Sequence, residues 1–340
     1  MPGSPDPADL RYCRAELPRV SRTFALNIRL LHGNLGDAVR VGYLLCRAAD
    51  ALEDSWPGEP PAIRDRFERF LSALGGDSPA GVELAAEAAP RASGFPDLQL
   101  VAELPRVLRV LRSLPDDHRG AVVAGVRTLA SGMARYAARA AERAADLAYL
   151  DTEAELDDYC WIVAGCVGVM LTQLYAAEYG PGPPETHRRR LDLAPTVGQA
   201  LQLTNILLDW PTDIRRGRCY LPATWLAEHG LAPRDLVGRE RPGVAEAALR
   251  LETRARAALS RVPDYLELIP VRRVRYRLFC LWPALWALGS MRHARRDPEF
   301  PWGPRRPKLP RGELLGSAIG SLITARQGAA LKTLRNAAAT

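Results

Sequence analysis

Apolar residues recur every three to four positions through most of the chain, the spacing of helices that bury one face. Val20, Phe24 and Ile28 follow one another at four-residue steps until His32 and Gly33 break the run. A second helix is predicted over Leu35–Asp54, closed by Trp56-Pro57-Gly58, with Ser55–Pro61 as a loop. Further helices are predicted near residues 62–75, 97–113, 117–147, 153–179, 190–214, 223–229, 243–266, 270–293 and 311–335. The breaks are short and carry Pro or Gly, as at Gly75-Gly76 and Leu114-Pro115, and none has the length of an interdomain linker. The reading is an all-α chain: residues 1–9 as a disordered lead-in, Pro-rich and acidic, and residues 10–340 as a single helical domain.

Composition agrees. Ala, Leu, Arg and Glu dominate 121–148 and 244–260, and 340 residues with 47% hydrophobic content suffice for a large core. The net charge of +7 comes mostly from Arg, a side chain suited to multidentate phosphate contacts. Nucleic acid is the first partner such a balance raises. The basic residues are dispersed among helices, however, and no zinc-finger, homeodomain or RNP pattern is present, so no nucleic-acid partner is expected. The six cysteines form no CxxC pair and follow no secretory leader, which points to a reducing cytoplasm.

No apolar stretch is expected to reach the length of a membrane span. The nearest, Leu278–Leu288, contains Pro283 and reads as a core helix or a cavity wall. The segment Glu313–Asn336 has helical spacing with Lys332 and Arg335 late in it, and either lies on a membrane surface or docks back on the bundle. A monomer in the cytoplasm, with at most peripheral membrane contact, is the expectation.

Two acidic groups carry the chemical signal. Asp50, Glu53 and Asp54 project from one side at the end of the second helix, where they repel one another and meet the negative end of the helix dipole. A cation should relieve them. Gln202, Asn205, Asp209 and Asp213 follow one stripe of a helix that is apolar between them, as expected of a cavity lining. Magnesium takes oxygen ligands, keeps several waters and is usually held by one or two carboxylates together with substrate phosphates. Such clusters suit a diphosphate held through magnesium, which neutralises the leaving group as a carbon–oxygen bond ionises. Arg47, one turn before Asp50, and Arg22 in the first helix are placed to meet the same diphosphate.

At these residues the sequence resembles the squalene/phytoene synthase family, over about Ser21 to Arg311. The matching segments are Ser21-Arg22-Thr23-Phe24, Tyr43 to Asp54, Tyr159 to Gly168, Gln202 to Asp213, and Arg216-Gly217-Arg218-Cys219-Tyr220-Leu221-Pro222. The resemblance implies an isoprenoid-synthase helical bundle around a central cavity, with the two aspartate-rich motifs facing across its mouth. It also implies two half-reactions: farnesyl diphosphate ionises and alkylates a second molecule to give presqualene diphosphate, which then ionises, rearranges and is quenched by hydride from NADPH. By resemblance, Asp50, Glu53, Asp54, Asp209 and Asp213 are magnesium ligands. Arg22, Arg47 and Arg218 contact diphosphate, with Ser21, Gln202 and Asn205 beside them, and Phe24 and Tyr43 fall with the substrate contacts. Tyr159 lines the reaction centre, where its ring face or its phenol serves the cation. Gly165 and Gly168, inside an apolar helix, mark a kink, a close substrate or tight helix packing.

The Tyr159 segment, Phe279-Cys280-Leu281-Trp282-Pro283 and the late Lys308-Leu309-Pro310-Arg311-Gly312 turn resemble the squalene branch, and Lys308 is the candidate NADPH contact, with Arg22 and Arg47 grouped beside it. Three positions depart from the family pattern: Leu208 stands where Arg is frequent, Pro310 where a second basic residue is expected, and Thr212 where an acid is usual. Dehydrosqualene, phytoene or presqualene diphosphate as final product stay open, as does a non-catalytic relative that keeps the fold.

Overall fold

The computed structural model describes residues 5–141, 148–324 and 328–338, and among them no β-strand forms. An isolated parallel bridge joins Leu150 to Pro222. Contacts gather the chain into two compact units where the sequence reading expected one domain: Met1–Glu142 with Val169–His187, and Arg143–Gly168 with Arg188–Thr340.

In the first unit the helix Gly33–Asp54 packs on Asp116–Ala141, and Pro60–Leu74 packs on Asp116–Ala141 and on Ser78–Ala88. Leu44, Leu45, Ala48, Ala49, Ala51 and Leu52 are all buried, so the helix that carries the acidic triplet is anchored along more than two turns toward its end. Close approach is made possible by glycines: a Cβ at Gly125 would lie 2.7 Å from Met170 Cβ, and one at Gly42 would lie 3.2 Å from Met170 Cε. The helix stops at Ser55 because Trp56 precedes Pro57, which disfavours helical backbone. Trp56 is then buried under Arg66, whose guanidinium lies 4.3 Å from the ring centroid and donates to the Trp56 carbonyl.

The expected lead-in is corrected. Asp6 caps a helix that begins at Pro7, its carboxylate accepting from Ala8 N at 2.8 Å. Asp9 is buried and accepts from Arg109 Nε at 2.7 Å and Arg106 Nε at 2.9 Å. Those hydrogen bonds, that of Arg109 foremost, hold its carboxyl below the usual range against the effect of burial. Residues 1–4 of the lead-in lie outside the described residues. The helix Ser78–Ala88 was not expected, the predicted helix over 97–113 divides at Glu103 just before Pro105, and 142–147 of the predicted 117–147 helix lie outside the described residues.

In the second unit Val274–Arg296 buries Leu278, Phe279, Leu281, Trp282, Trp286 and Met291. The apolar Leu278–Leu288 stretch is therefore core helix. The predicted 243–266 helix is two, Val244–Leu259 and Val262–Glu267. A buried Glu252 joins Arg256 at 2.7 Å and Arg295 at 2.8 Å. The predicted 190–214 helix extends over Pro184–Arg215 and passes through Pro195 and Pro211 without ending.

One expectation about length also fails. Helix Glu153–Tyr179 is long and apolar enough, by length and composition, to cross a membrane, with 44% of its apolar window buried. An apolar-run reading misses it because isolated polar residues such as Thr172 and Gln173 interrupt the run. Its middle packs against its neighbour at backbone distance: a Cβ at Gly168 would lie 2.1 Å from the Ala194 carbonyl oxygen, and one at Gly198 2.1 Å from that of Ala164. Gly168 is thus explained by helix packing. Trp161–Gly165 winds as a π-turn, with the Cys166 N–H donating to the Trp161 carbonyl five residues back. Such turns are frequent at functional sites.

Candidate active site

Within the first unit the structure brings Ser21, Phe24, Tyr43, Arg47 and Asp50 together. Ser21 caps the helix Arg22–Ile28, its Oγ accepting from Phe24 N at 3.3 Å. Phe24 and Tyr43 meet with ring centroids 5.3 Å apart. Burial pushes the Tyr43 phenol up to about 12 despite a hydrogen bond with Ser21 and the nearby Arg47. One turn on, Arg47 donates from Nη2 to Asp97 Oδ2 at 2.8 Å and from Nε to Asp97 Oδ1 at 3.1 Å, a planar two-point pair. Its Nη1 reaches Asp50 Oδ2 at 3.4 Å. Burial works against the Arg47 charge, but Asp50 and Asp97 more than offset it and raise its pKa.

Asp50 is the perturbed acid. Burial raises its carboxyl to about 7 against the attraction of Arg47, and the neighbouring charges of Asp54 and Glu53 add to the rise. Glu53 is buried while Asp54, on the same turn, is exposed. Arg22 is exposed and makes no ion pair among the described residues.

Within the second unit the predicted stripe is present. Gln202, Asn205, Asp209 and Asp213 all keep solvent access, whereas Leu203, Thr204, Ile206, Leu207, Leu208 and Trp210 are buried. Asp209 Oδ1 pairs with Arg306 Nε at 2.6 Å. Burial raises the Asp209 carboxyl, with the charges of Arg306, Arg216 and Lys308 opposing. The loop after the stripe folds back, as Arg218 N donates to the Asp213 carbonyl at 2.8 Å. Arg218 then lies over the Tyr149 ring, 5.9 Å from its centroid. Tyr159 is buried and stacks on Tyr220 at 5.1 Å, with Tyr149 edge-on at 5.9 Å. Backbone pairing of Tyr149 N with Cys219 O at 2.7 Å fixes this trio.

Sequence reading missed Asp97, Arg306, Tyr149 and Tyr220 as participants. Tyr220 lay inside a quoted segment, and a Pro-Asp helix start at Pro96-Asp97 was visible. Nothing local marked Arg306 or Tyr149. Leu208, where a basic contact is frequent in the family pattern, is buried and offers no charge. Lys308 is exposed and close enough to Asp209 to act on its charge.

Among the described residues no three acidic, His or Cys side chains converge into a protein-only metal cage. The donors nonetheless fit magnesium, which needs one or two carboxylates and takes its remaining oxygens from water and phosphate. Asp50, raised by burial and by two adjacent acids, is a carboxylate that a divalent ion would relieve.

The sequence pattern of the squalene/phytoene synthase family matches residues 17–313. The chain is 28% identical to a squalene synthase of Eremothecium gossypii over 294 residues, covering 84% of this chain and 62% of the relative. It is 27% identical to the squalene synthase of Homo sapiens over 289 residues, covering 84% and 63%. It thus spans less than two thirds of the length of those relatives. A phytoene synthase of Thermus thermophilus matches at 45% identity, over 32% of this chain and 35% of its own. The fold matches a structure of TcSQS with the ligand E5700, with a TM-score of 0.75, 22% identity and 97% of each chain covered. A dehydrosqualene synthase structure matches with a TM-score of 0.63 and 21% identity, covering 93% of this chain and 97% of the other. With a family match over most of its length, the chain belongs to the squalene/phytoene synthase family.

Proposed function

We propose that the protein is a prenyl transferase that joins two farnesyl diphosphates head to head, giving presqualene diphosphate and then squalene. The observation that carries this reading is the Asp97–Arg47–Asp50 array, a guanidinium fixed beside a carboxylate that burial has made reluctant to ionise. Magnesium, when bound, supplies the Lewis-acid charge that stabilises the departing diphosphate. Asp50, Glu53 and Asp54 are the residues of the first motif that would hold magnesium, and Asp209 and Asp213 those of the second, each group within its own unit. Arg47 adds a fixed donor to the leaving oxygens, at little reorganisation cost because Asp97 already orients it. Arg218 and Arg22 supply further cationic contacts. As the carbon–oxygen bond breaks, its electron pair leaves with the diphosphate and an allylic cation remains. The Tyr159, Tyr220 and Tyr149 rings, packed on one another, are the aromatic surfaces that would serve such a cation. A carbon–carbon bond to the second farnesyl chain then forms, and the released diphosphate takes up the proton lost as the cyclopropane closes.

For the reductive step the chain supplies Lys308 as one exposed cation, while Leu208 is buried. With Leu208 apolar and Pro310 in place of a second base, the cationic contacts for a dinucleotide are fewer than the family pattern has, and no step is routed through NADPH here. Dehydrosqualene, or arrest at presqualene diphosphate, is the second reading that this observation favours. Mass spectrometry of products from farnesyl diphosphate and magnesium, with and without NADPH, separates them. Squalene appearing only with NADPH supports the full reading, and no turnover under either condition removes the enzyme in favour of a non-catalytic relative.

A further inference from the structure

The helix Arg311–Thr324 has its polarity reversed relative to a helix packed on a water-soluble body. Its inward contacts are polar. Trp282 Nε1 donates to Ser321 Oγ at 2.8 Å, and Trp286 Nε1 donates to Ser317 Oγ at 3.2 Å and to the Leu314 carbonyl at 3.3 Å. Ser321 and Ala318 are buried beneath the helix. Its outward face is aliphatic: Leu315, Ile319 and Leu322 are 51%, 60% and 52% exposed, and their spacing puts them on one stripe. A Cβ added at Gly316 or Gly320, beside that stripe, would enter open space.

Charge accompanies the stripe. Arg305, Lys308 and Arg311 are exposed, Arg306 is paired with Asp209, and residues 301–311 contain no acid. Glu313, the acid in the first turn, is already paired with His293 Nε2 at 2.9 Å. The following helix, Ala329–Arg335, behaves differently: it buries Leu331 and Leu334 and ties Arg335 to Glu267 at 2.5 Å. Of the two fates open to the Glu313–Asn336 segment, docking thus belongs to its second helix and exposure to its first.

We propose that the Leu315–Ile319–Leu322 face docks on an anionic lipid surface, with Arg305 and Arg311 meeting lipid phosphates. A bilayer fits better than a protein partner on area. The stripe is three side chains over about 10 Å of helix, where a stable protein interface takes roughly 20–30 residues a side, whereas interfacial binding needs only a few aliphatic side chains with flanking cations. The inference is independent of the prenyl-transfer reading, because its test measures binding alone.

Flotation of the full chain reads it directly, using vesicles of phosphatidylcholine with about a third phosphatidylglycerol, against phosphatidylcholine alone. The triple variant L315S/I319S/L322S should partition at least about tenfold more weakly at unchanged helical content by circular dichroism. Should the triple variant lose helix, Ile319→Ser, at the most exposed of the three positions, gives the same reading. R305Q/R311Q should erase the preference for anionic vesicles. Equal flotation of the wild type and the aliphatic variants overturns the proposal, as does a wild type that stays in the aqueous fraction with both vesicles. A dimer that L315S/I319S/L322S converts to monomer, without vesicle binding, also overturns it and makes the face a protein interface.

Discussion

Replacing Asp50 by Asn should make the metal-free protein more stable at slightly alkaline pH while destroying turnover. The carboxyl is raised from its ordinary 3.8 to about 7, chiefly by burial. In the folded chain it therefore holds a proton through a range where the unfolded chain has lost it. By linkage, wild-type stability from this group is greatest at acid pH and falls as pH climbs from about 4 to about 7, after which the folded group is ionised as well. Unscreened, a rise of that size corresponds to about 4 kcal/mol. The side chain keeps 36% of its surface, so solvent screening reduces the expected effect to about 1–2 kcal/mol. Asn mimics the neutral acid at every pH. Thermal melts in the presence of a chelator should then place Asp50→Asn about 1–3 °C above wild type at pH 8 and level with it at pH 4. A variant less stable than wild type at pH 8, or a difference that does not change with pH, would refute the assignment of a strained carboxylate at this helix end.

Other outcomes follow from the same geometry. Asp97→Asn removes the charge behind Arg47, and because Asp97 acts through that guanidinium, kcat should fall about tenfold, or about 1.4 kcal/mol, with a steeper pH profile and little change in melting temperature; loss of stability alone would make Asp97 merely structural. Gly168→Ala places a methyl group 2.1 Å from the Ala194 carbonyl oxygen, and chemical denaturation should show a loss of about 3 kcal/mol or more. Tyr159→Phe keeps the stack on Tyr220 and Tyr159→Ala does not, so if the ring face is what serves the cation, product assays should find Phe close to wild type and Ala at least about tenfold slower. Equal loss in both variants would instead assign the work to the phenol.

The legible part of this protein was the part written in local spacing. The end of the helix at Asp54, the acids gathered on its last turn, and the stripe Gln202–Asn205–Asp209–Asp213 with its buried flanks all follow from 3.6-residue periodicity. Asp97 escaped because it lies fifty residues beyond Arg47, and only packing of two short helices on Gly33–Asp54 brings it there. Arg306 reaches Asp209 from a loop with no periodicity at all. The Ser78–Ala88 helix was hidden by Pro79 and Gly81, which read as loop although Pro79 sits in the first turn, where its missing N–H costs nothing. The π-turn at Trp161–Gly165 left only Gly165 as a trace, and Gly165 alone did not distinguish a turn from packing. The acidic lead-in was helical because Arg106 and Arg109, far along the chain, bury Asp9.

The proposal on which the account depends is that each motif helix binds magnesium through its own carboxylates, and that diphosphate leaves only when magnesium is present. Release of inorganic diphosphate from radiolabelled farnesyl diphosphate, measured with and without magnesium for wild type, Asp50→Ala and Asp209→Ala, tests it most directly. The account predicts magnesium-dependent release by wild type and at least about a thousandfold loss, or about 4 kcal/mol, in either variant, with helical content unchanged. Retention of activity in both variants, or release by wild type that is indifferent to chelation, would contradict it.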